Sequence, residues 1–158
     1  MQEKETTKRL VIAEARDVPS HGRLIAIDPG TKRIGVAVCD ELRITIRRLP
    51  IIHRSSWKKL LAKIKDILDE YDAAALIVGL PYNSDGSESE MSAEARRMAG
   101  NFAASLDVPV FLQDERVTTY EARGRLWAAG VTAGEMAKRL DSEAAAIILE
   151  DFLDRVKS

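Results

Sequence analysis

Three short β-rich runs follow one another early in the chain, and no other feature constrains the fold as strongly. They read LIAID, RIGVAVCD and ITIRRLPII, and the turn-forming stretches PGTK and DELR separate them. Short runs rich in β-branched residues and bounded by turn residues are typical of neighbouring antiparallel strands. The sequence therefore predicts an antiparallel three-stranded unit that starts near Arg23.

After Ile52 the spacing of apolar residues alternates between that of helices and that of strands. A first helix follows the candidate caps Ser55 and Ser56, because apolar residues then recur at helical intervals, at Leu60, Leu61, Ile64, Ile67 and Leu68. The run AALIVGLP predicts a strand that ends at Pro81. The loop YNSDGSESEMS then leads into a second helix up to about Leu106, and VPVFLQDE predicts the last strand.

Two further helices are predicted at the C-terminal end. The stretch TTYEARGRLWAAG has a capping box from Thr118 to Glu121 and a stop at Gly130, and a final helix starts near Ser142. An antiparallel unit followed by alternating helices and strands indicates an α/β fold. We expect a mixed five-stranded sheet, with strands 1–3 antiparallel and the later strands parallel, and with helices on both faces.

Length and composition limit the architecture. A chain of 158 residues of which 46% are hydrophobic is long enough for one globular domain. We assign residues 23–158 to that domain and expect residues 1–22, which end in the breaker-rich DVPSHG, to form a mobile N-terminal extension. No stretch has the apolar length of a leader or a membrane span, so a cytoplasmic location is expected.

Few residues are available for metal or redox chemistry other than carboxylates. The single cysteine, Cys39, excludes a disulfide within the chain, and with only His21 and His53 beside it a Cys/His zinc cluster is not expected. Any metal must therefore be held by carboxylates. The formal net charge of -1 gives no overall signature of nucleic-acid binding, so a basic surface must be local.

Carboxylates from three places in the chain are candidates for one site. Asp28 ends the first strand, and Asp114 and Glu115 end the last one, so they share an edge of the sheet if these strands are parallel. Asp141 lies four residues before Ala145 and continues the apolar stripe of the final helix by one turn, so it faces the sheet. Such a set suits the hard cations Mg²⁺ and Mn²⁺, which in pairs cleave phosphodiesters.

Four linked motifs resemble those of the YqgF (RuvX) family of RNase H-like nucleases. They are DPGTKRIGVAVCD, IVGLPYNSDGS, FLQDERVTT and DSEAAAIIL, and they cover Arg23 to about Leu153. The resemblance implies an RNase H-like sheet and a cytoplasmic enzyme that trims the 5′ end of pre-16S rRNA. The family was earlier named for Holliday junction resolution, by similarity to RuvC-type enzymes. Those enzymes carry an acid after the fourth strand, where this chain has GLP.

Carried over by position, the resemblance implies catalytic and metal-binding roles for Asp28, Glu115 and Asp141, with Mg²⁺ or Mn²⁺ as cofactor. The candidate substrate-binding residues are Gly30, Lys32, Arg33, Asn83 and Arg116. The expected partner is structured RNA such as pre-16S rRNA, or branched DNA, together with the ribosome or its precursor. A monomer and a homodimer both remain open. The basic run before Asp141 is sparse, so the surface that binds nucleic acid is weaker or lies elsewhere.

Each acid also has a structural explanation. Asp28 belongs to an Asp-Pro-Gly turn, Asp141 suits a helix cap, and Glu115 can form a surface ion pair with Arg116. Alternation does not decide whether Asp114 or Glu115 faces the site. The functional alternatives are a junction-resolving DNA endonuclease and a non-catalytic nucleic-acid-binding or ribosome-binding factor. An actin-like or sugar-kinase ATPase is disfavoured, because that fold normally needs two domains.

Overall fold

The computed structural model describes residues 12–83, 85–115 and 118–157, apart from the side chains of 118–121, 137 and 138. In chain order the elements are β1 (Arg23–Pro29), β2 (Arg33–Cys39), β3 (Ile46–His53), α1 (Trp57–Glu70), β4 (Ala73–Leu80), α2 (Glu90–Ser105), β5 (Val110–Asp114), α3 (Thr118–Ala128) and α4 (Ala133–Lys157). A short 3-10 helix precedes β1.

The five strands form one mixed sheet in the order β3-β2-β1-β4-β5. β1 pairs antiparallel with β2, and β2 with β3, whereas β4 runs parallel to both β1 and β5. The predicted mixed topology is therefore confirmed. Because β1, β4 and β5 are parallel, they end at the same edge of the sheet. We call this the carboxyl edge, at Pro29, Leu80 and Asp114.

One face of the sheet is covered by α1 and α2. Each helix begins at a serine: the Ser56 side chain accepts a hydrogen bond from Lys59 N, and Ser89 forms a capping box with Ser92. The helices bury large apolar side chains against those of the strands, among them Ile25, Ile27, Val36, Leu60, Ile64, Leu76, Val78, Met98 and Phe102. This face is an ordinary aliphatic and aromatic core.

The other face is covered by α4. Here the strands present mostly small side chains, and α4 packs on them with residues that include Ala145, Ala146, Ile148, Leu149 and Phe152. Every residue from Glu143 to Leu149 is buried, because α3 packs on the outer side of α4 through Ala122. Helices therefore lie on both faces, as predicted.

The start of the last helix differs from the prediction. α4 begins at Ala133 rather than near Ser142, and its first turn is closed by the Thr132 carbonyl, which accepts from the backbone N–H groups of Glu135 and Met136. The early turns of α4 do not continue the apolar stripe that faces the sheet, because Met136 packs in a separate cluster with Leu126 and Val131. The prediction from this stripe therefore began the helix too late. Asp141 is therefore inside the helix, and the alternative that it is a helix cap is wrong.

Part of the N-terminal extension packs on the domain. Ala13 N donates to the Val110 carbonyl of β5 (2.9 Å), and Ala15 and Val18 contact the core beneath α4. Residues 1–11 lie outside the described part of the chain. Among the described helices, none has the length and apolar character needed to cross a membrane.

Candidate active site

Asp28 and Glu115 are brought together at the carboxyl edge. Side chains of β1 alternate between the two faces, so Asp28 follows Leu24 and Ala26 onto the face covered by α4. Glu115 directly follows β5, and its N–H continues the pairing by donating to the Leu80 carbonyl (3.1 Å). The two carboxyl groups share a hydrogen bond, which lowers the pKa of Asp28 and raises the pKa of Glu115.

The structure distinguishes the two acids at the end of β5. Asp114 pairs in register with Leu80, and the neighbouring residue Glu115 is the one whose side chain hydrogen-bonds Asp28. The charge of Asp114 contributes to the raised pKa of Glu115. Of the two candidates that the sequence left open, Glu115 is therefore the one that meets Asp28.

Asp141 reaches the site because the backbone of α4 lies directly on the sheet. Gly35 pairs with Asp28 across β1 and β2, and a Cβ added to Gly35 would lie 1.9 Å from the carbonyl oxygen of Asp141. Any side chain at this position would push the helix away. The absence of a side chain at Gly35 thus allows the backbone of Asp141 to lie close to the sheet beside Asp28.

A second glycine makes room for Glu115. Gly79 lies on β4, and a Cβ there would be 2.9 Å from Glu115 Oε2 and 2.5 Å from the Cδ1 atom of Ile148. Gly35 and Gly79 therefore flank Asp28 on its two neighbouring strands. The backbone of α4 at Asp141 occupies the space beside Gly35, and the Glu115 carboxyl group with Ile148 occupies the space beside Gly79.

Polar contacts fix α4 next to Asp141. Ser142 Oγ donates to the Leu49 carbonyl of β3 (3.1 Å). The buried carboxylate of Glu143 accepts from both Nε and Nη2 of Arg48, the latter at 2.6 Å, and also lies 3.8 Å from Nη1 of Arg125. A bidentate arginine pair is strong and directional. These contacts bind α4 to β3 and α3 within two residues of Asp141.

The site carries more negative charge than its surroundings neutralise. Desolvation is the main cause that raises the pKa of Asp28 above its ordinary value, against the effect of the hydrogen bond with Glu115. Desolvation, followed by the charge of Asp28, raises the pKa of Glu115 to about 10. Desolvation also raises the pKa of Asp141, and the Arg33 guanidinium partly offsets it.

Arg33 is the nearest counter-ion. Its Nε lies 3.1 Å from Asp141 Oδ2, with 39% of the Arg33 side chain exposed. The orientation does not complete a hydrogen bond, so the buried Oδ2 atom accepts none from the described residues. Gln113 Oε1, on β5 two residues before Glu115, is likewise buried without a partner among the described residues.

The chemistry of these donors fits a divalent cation. Mg²⁺ and Mn²⁺ prefer carboxylate oxygens, and a bound cation would offset the desolvation and the Asp28 charge that raise the pKa of Glu115. Within the described residues, no three acidic, histidine or cysteine side chains are already arranged as a complete metal-binding group. Asp28 and Glu115 are in contact, whereas Asp141 interacts with Asp28 through its charge and ion-pairs with Arg33.

The other candidate residues belong to turns and loops of the domain. Gly30 closes the β1–β2 turn, because its N–H donates to the Arg33 carbonyl (3.0 Å). A Cβ on Gly30 would lie 2.4 Å from the same oxygen. Lys32 is exposed on this turn. Asn83 closes its own loop, since its Nδ2 donates to Ser87 Oγ (3.0 Å). Arg116 lies outside the described residues, and substrate binding by all five residues stays a prediction.

Sequence reasoning missed two features of the site. It did not single out Gly79, although the substitution of an acid by GLP at the end of β4 marks the place where Glu115 needs space. It also interpreted Arg33 as a substrate ligand or a solvated turn residue, whereas the structure pairs it with Asp141. No local pattern links residues 33 and 141, because α4 brings them together over more than a hundred residues.

Comparison with known proteins agrees with this architecture. A protein of Anaeromyxobacter dehalogenans strain 2CP-1, named "Putative pre-16S rRNA nuclease", is 41% identical over 133 residues, which cover 84% of this chain and 97% of the relative. A protein of the same name from Syntrophus aciditrophicus is 36% identical over 134 residues, covering 85% and 89%. The chain spans nearly the whole length of both relatives.

Solved structures show the same fold. The structure of T. thermophilus RuvC in complex with Holliday junction substrate superposes with a TM-score of 0.50 at 19% identity, over 85% of this chain and 96% of that one. At this identity the likeness concerns the RNase H-like fold and not the reaction. Residues 22–155 match the RuvX family, described as Holliday junction resolvase. With this match over most of its length and relatives above one-third identity, the chain belongs to the RuvX (YqgF) family.

Proposed function

We propose that this protein is a divalent-cation-dependent nuclease that processes the 5′ end of pre-16S rRNA. The observation that carries the proposal is the contact between Asp28 and Glu115, with Asp141 beside them, at the edge of an RNase H-like sheet. Desolvated carboxyl groups that repel one another lower the stability of the fold. Groups perturbed in this way cluster at sites that serve binding or catalysis. Relatives named for pre-16S rRNA supply the substrate.

In this proposal Asp28, Glu115 and Asp141 hold Mg²⁺ or Mn²⁺. When bound, such a cation supplies a Lewis acid that lowers the pKa of water and neutralises charge on a phosphate. Glu115 must lose its proton to take part, and the raised pKa of its carboxyl group means that ligand binding and proton release are coupled.

Arg33 and Lys32 complete the proposed site toward the substrate. The Arg33 guanidinium neutralises Asp141 in the protein alone and is free to turn to a phosphate when another cation takes over that role. Lys32 is exposed on the β1–β2 turn next to it. Contacts from such residues to the phosphodiester backbone orient a strand without reading its sequence.

The test is cleavage of two labelled substrates, a 5′-extended 16S rRNA fragment and a four-way DNA junction, in Mn²⁺ and in chelator. We expect the wild type to cut the RNA only with the metal. Asp28→Asn should lower that rate by more than about 100-fold, because even outer-shell partners of a metal contribute about 10- to 100-fold. Circular dichroism checks that the variant is folded.

Asp114→Asn is the matched control, because Asp114 neighbours Glu115 and does not share the hydrogen bond with Asp28. Its RNA cleavage should stay within a few-fold of wild type. Full activity of Asp28→Asn would contradict the proposed mechanism. Binding of both substrates without any cleavage would instead favour a non-catalytic binding factor.

A junction-resolving endonuclease is the second candidate. It is favoured by the family description as Holliday junction resolvase and by the fold shared with a RuvC structure. This candidate requires a dimer that cuts the four-way junction symmetrically. Cleavage of the junction and not of the RNA, by the same carboxylates, would decide for it.

The proposed substrate also implies a setting. An enzyme that processes pre-16S rRNA works in the cytoplasm and on the ribosome precursor, so we propose both as its location and partner. Co-sedimentation with ribosomal precursor particles, compared between wild type and a charge-neutralised Lys32→Ala variant, measures this association. Loss of precursor binding in the variant is the expected result.

A further inference from the structure

A second feature lies at the carboxyl edge, on the face of the sheet opposite the carboxylates. It is a cavity of about 180 Å³ between the first turn of α1 and the middle of α2, and its lining includes Arg54, Trp57, Glu94, Arg97 and Asn101. Pockets for complete small-molecule ligands usually measure about 300–1,000 Å³. A cavity of this size suits one planar ring system that belongs to a larger molecule.

Arg54 connects this cavity to the candidate active site. Its Nη1 donates to the Gly30 carbonyl (3.0 Å), and its backbone N–H donates to the Lys32 carbonyl (2.8 Å). Its Nη2 pairs with Glu94 of α2. The β1–β2 turn, two residues beyond Asp28, is thus joined to the cavity wall by one side chain.

Trp57 provides an aromatic surface in the cavity. The ring packs on Phe102, with centroids 4.8 Å apart and planes at 52°, and Phe102 is fully buried. Trp57 nevertheless remains 38% exposed. A large aromatic ring that is supported on one side and open on another is a stacking platform, and exposing it to water has no structural benefit.

The polar residues around the ring are available to a ligand. Within the part of the chain that the structure describes, the exposed side chains of Arg97 and Asn101 have no ion pair or hydrogen bond. Glu94, the acid in the lining, is already neutralised by Arg54. The cavity therefore combines an aromatic face, an amide and a guanidinium that has no partner among the described residues.

Taking the nuclease function proposed above as its basis, we propose that this cavity holds one base of a single-stranded RNA segment next to the cleaved phosphate. Base stacking on aromatic rings, with nearby cations for the backbone, is the usual chemistry of single-strand recognition. Trp57 stacks on the base, Asn101 meets its edge, and Arg97 holds the adjoining phosphate. The strand then passes over Gly30 and Lys32 toward Asp28.

The test uses the fluorescence of Trp57. The chain has two tryptophans, so Trp127→Phe leaves Trp57 as the only one. This variant is titrated, in chelator, with a short single-stranded oligoadenylate and with an abasic sugar-phosphate strand of equal length. We expect strong quenching by the oligoadenylate and little by the abasic strand, because only the first can stack.

Affinities of variants, measured with end-labelled strands, separate stacking from structure. Trp57→Ala should weaken binding of the oligoadenylate about tenfold and leave the abasic strand unchanged, while Trp57→Phe keeps most of the affinity. Trp127→Ala is the matched control, since Trp127 is 52% exposed on α3. Arg97→Ala should weaken both strands and lower the salt dependence, whereas Arg47→Ala, an exposed arginine of β3, should not.

The outcomes distinguish this inference from the proposed function. Equal losses for both strands in Trp57→Ala would overturn the stacking site, and so would the absence of oligoadenylate binding by the wild type together with unquenched fluorescence in Trp127→Phe. Base-dependent quenching by a protein that cuts neither labelled substrate would support the stacking site and reject the nuclease proposal. Metal-dependent RNA cleavage with base-independent binding would support the nuclease proposal and reject the stacking site.

Discussion

The two faces of the sheet are built on different principles although they share the same strands. On the face under α1 and α2, large side chains such as Ile27, Ile64 and Phe102 fill the space between sheet and helix. On the face under α4, many strand residues are small, among them Ala37 and Ala75 and, near the carboxyl edge, Gly35 and Gly79, and the helix backbone lies directly on the sheet at Gly35. The first face stabilises the fold, and the second also positions charged groups.

This difference has an energetic counterpart. Apolar burial under α1 and α2 lowers the free energy of the folded state, whereas the desolvated carboxyl groups under α4 raise it, as their raised pKa values show. A folded state is often strained at its functional site. Three experiments test this comparison between the faces.

The largest expected effect comes from the same truncation on each face. Ile64→Ala and Ile148→Ala each remove a fully buried side chain and should lower the free energy of unfolding by about 2–5 kcal/mol. Only Ile148 borders Gly79, beside Glu115, so only its variant should also lower RNA cleavage per folded molecule. Denaturant unfolding and cleavage rates measure the two effects. Equal loss of specific activity in both variants would remove the distinction between the faces.

A smaller change is expected from an added methyl group. Gly35→Ala brings a Cβ against the Asp141 carbonyl, a backbone atom that cannot turn aside, and should cost about 3 kcal/mol and most of the activity. Gly100→Ala is the control: it lies within α2 with no atom within 4 Å of the added Cβ. That variant should be about 0.5–1 kcal/mol more stable than wild type, since alanine favours helices. Unaltered activity of Gly35→Ala would show that α4 can stand further from the sheet.

The smallest effect concerns pH. The pKa of Glu115 is raised in the folded protein, so the folded state binds the extra proton and stability falls as pH rises from the ordinary carboxyl range toward about 10. Glu115→Gln should flatten this decline and raise stability at alkaline pH by at least about 1.4 kcal/mol, the equivalent of one pKa unit. Denaturant midpoints measured over this pH range, without divalent metal, test it. An unchanged slope in the variant would place the titrating group elsewhere.

The sequence allowed the parts of the site that depend on strand ends to be predicted. Asp28 and Glu115 follow apolar runs directly, and parallel strands must end at one edge, so their proximity follows from local patterns and topology. The inward position of Asp141 also followed, because the stripe of α4 has a regular helical period.

Contacts between distant segments could not be predicted in this way. The early turns of α4 are apolar only toward α3, so a search for a stripe facing the sheet missed nine residues of helix. The pair formed by Arg33 and Asp141, and the space that Gly79 leaves for Glu115, depend on how closely α4 approaches the sheet. That distance is set by packing, and no short window of sequence contains it.

The placement of Asp141 within the seven-turn helix α4 has a consequence for dynamics. Backbone amides next to Asp141 lie in the most enclosed helix of the described chain and should exchange with solvent deuterium only when the whole domain unfolds. The amides of Asn83 and Gly86, which donate within a surface turn, should exchange through local opening. The backbone that carries Asp141 would then open only when the whole domain unfolds, so its position would persist through local openings elsewhere in the chain.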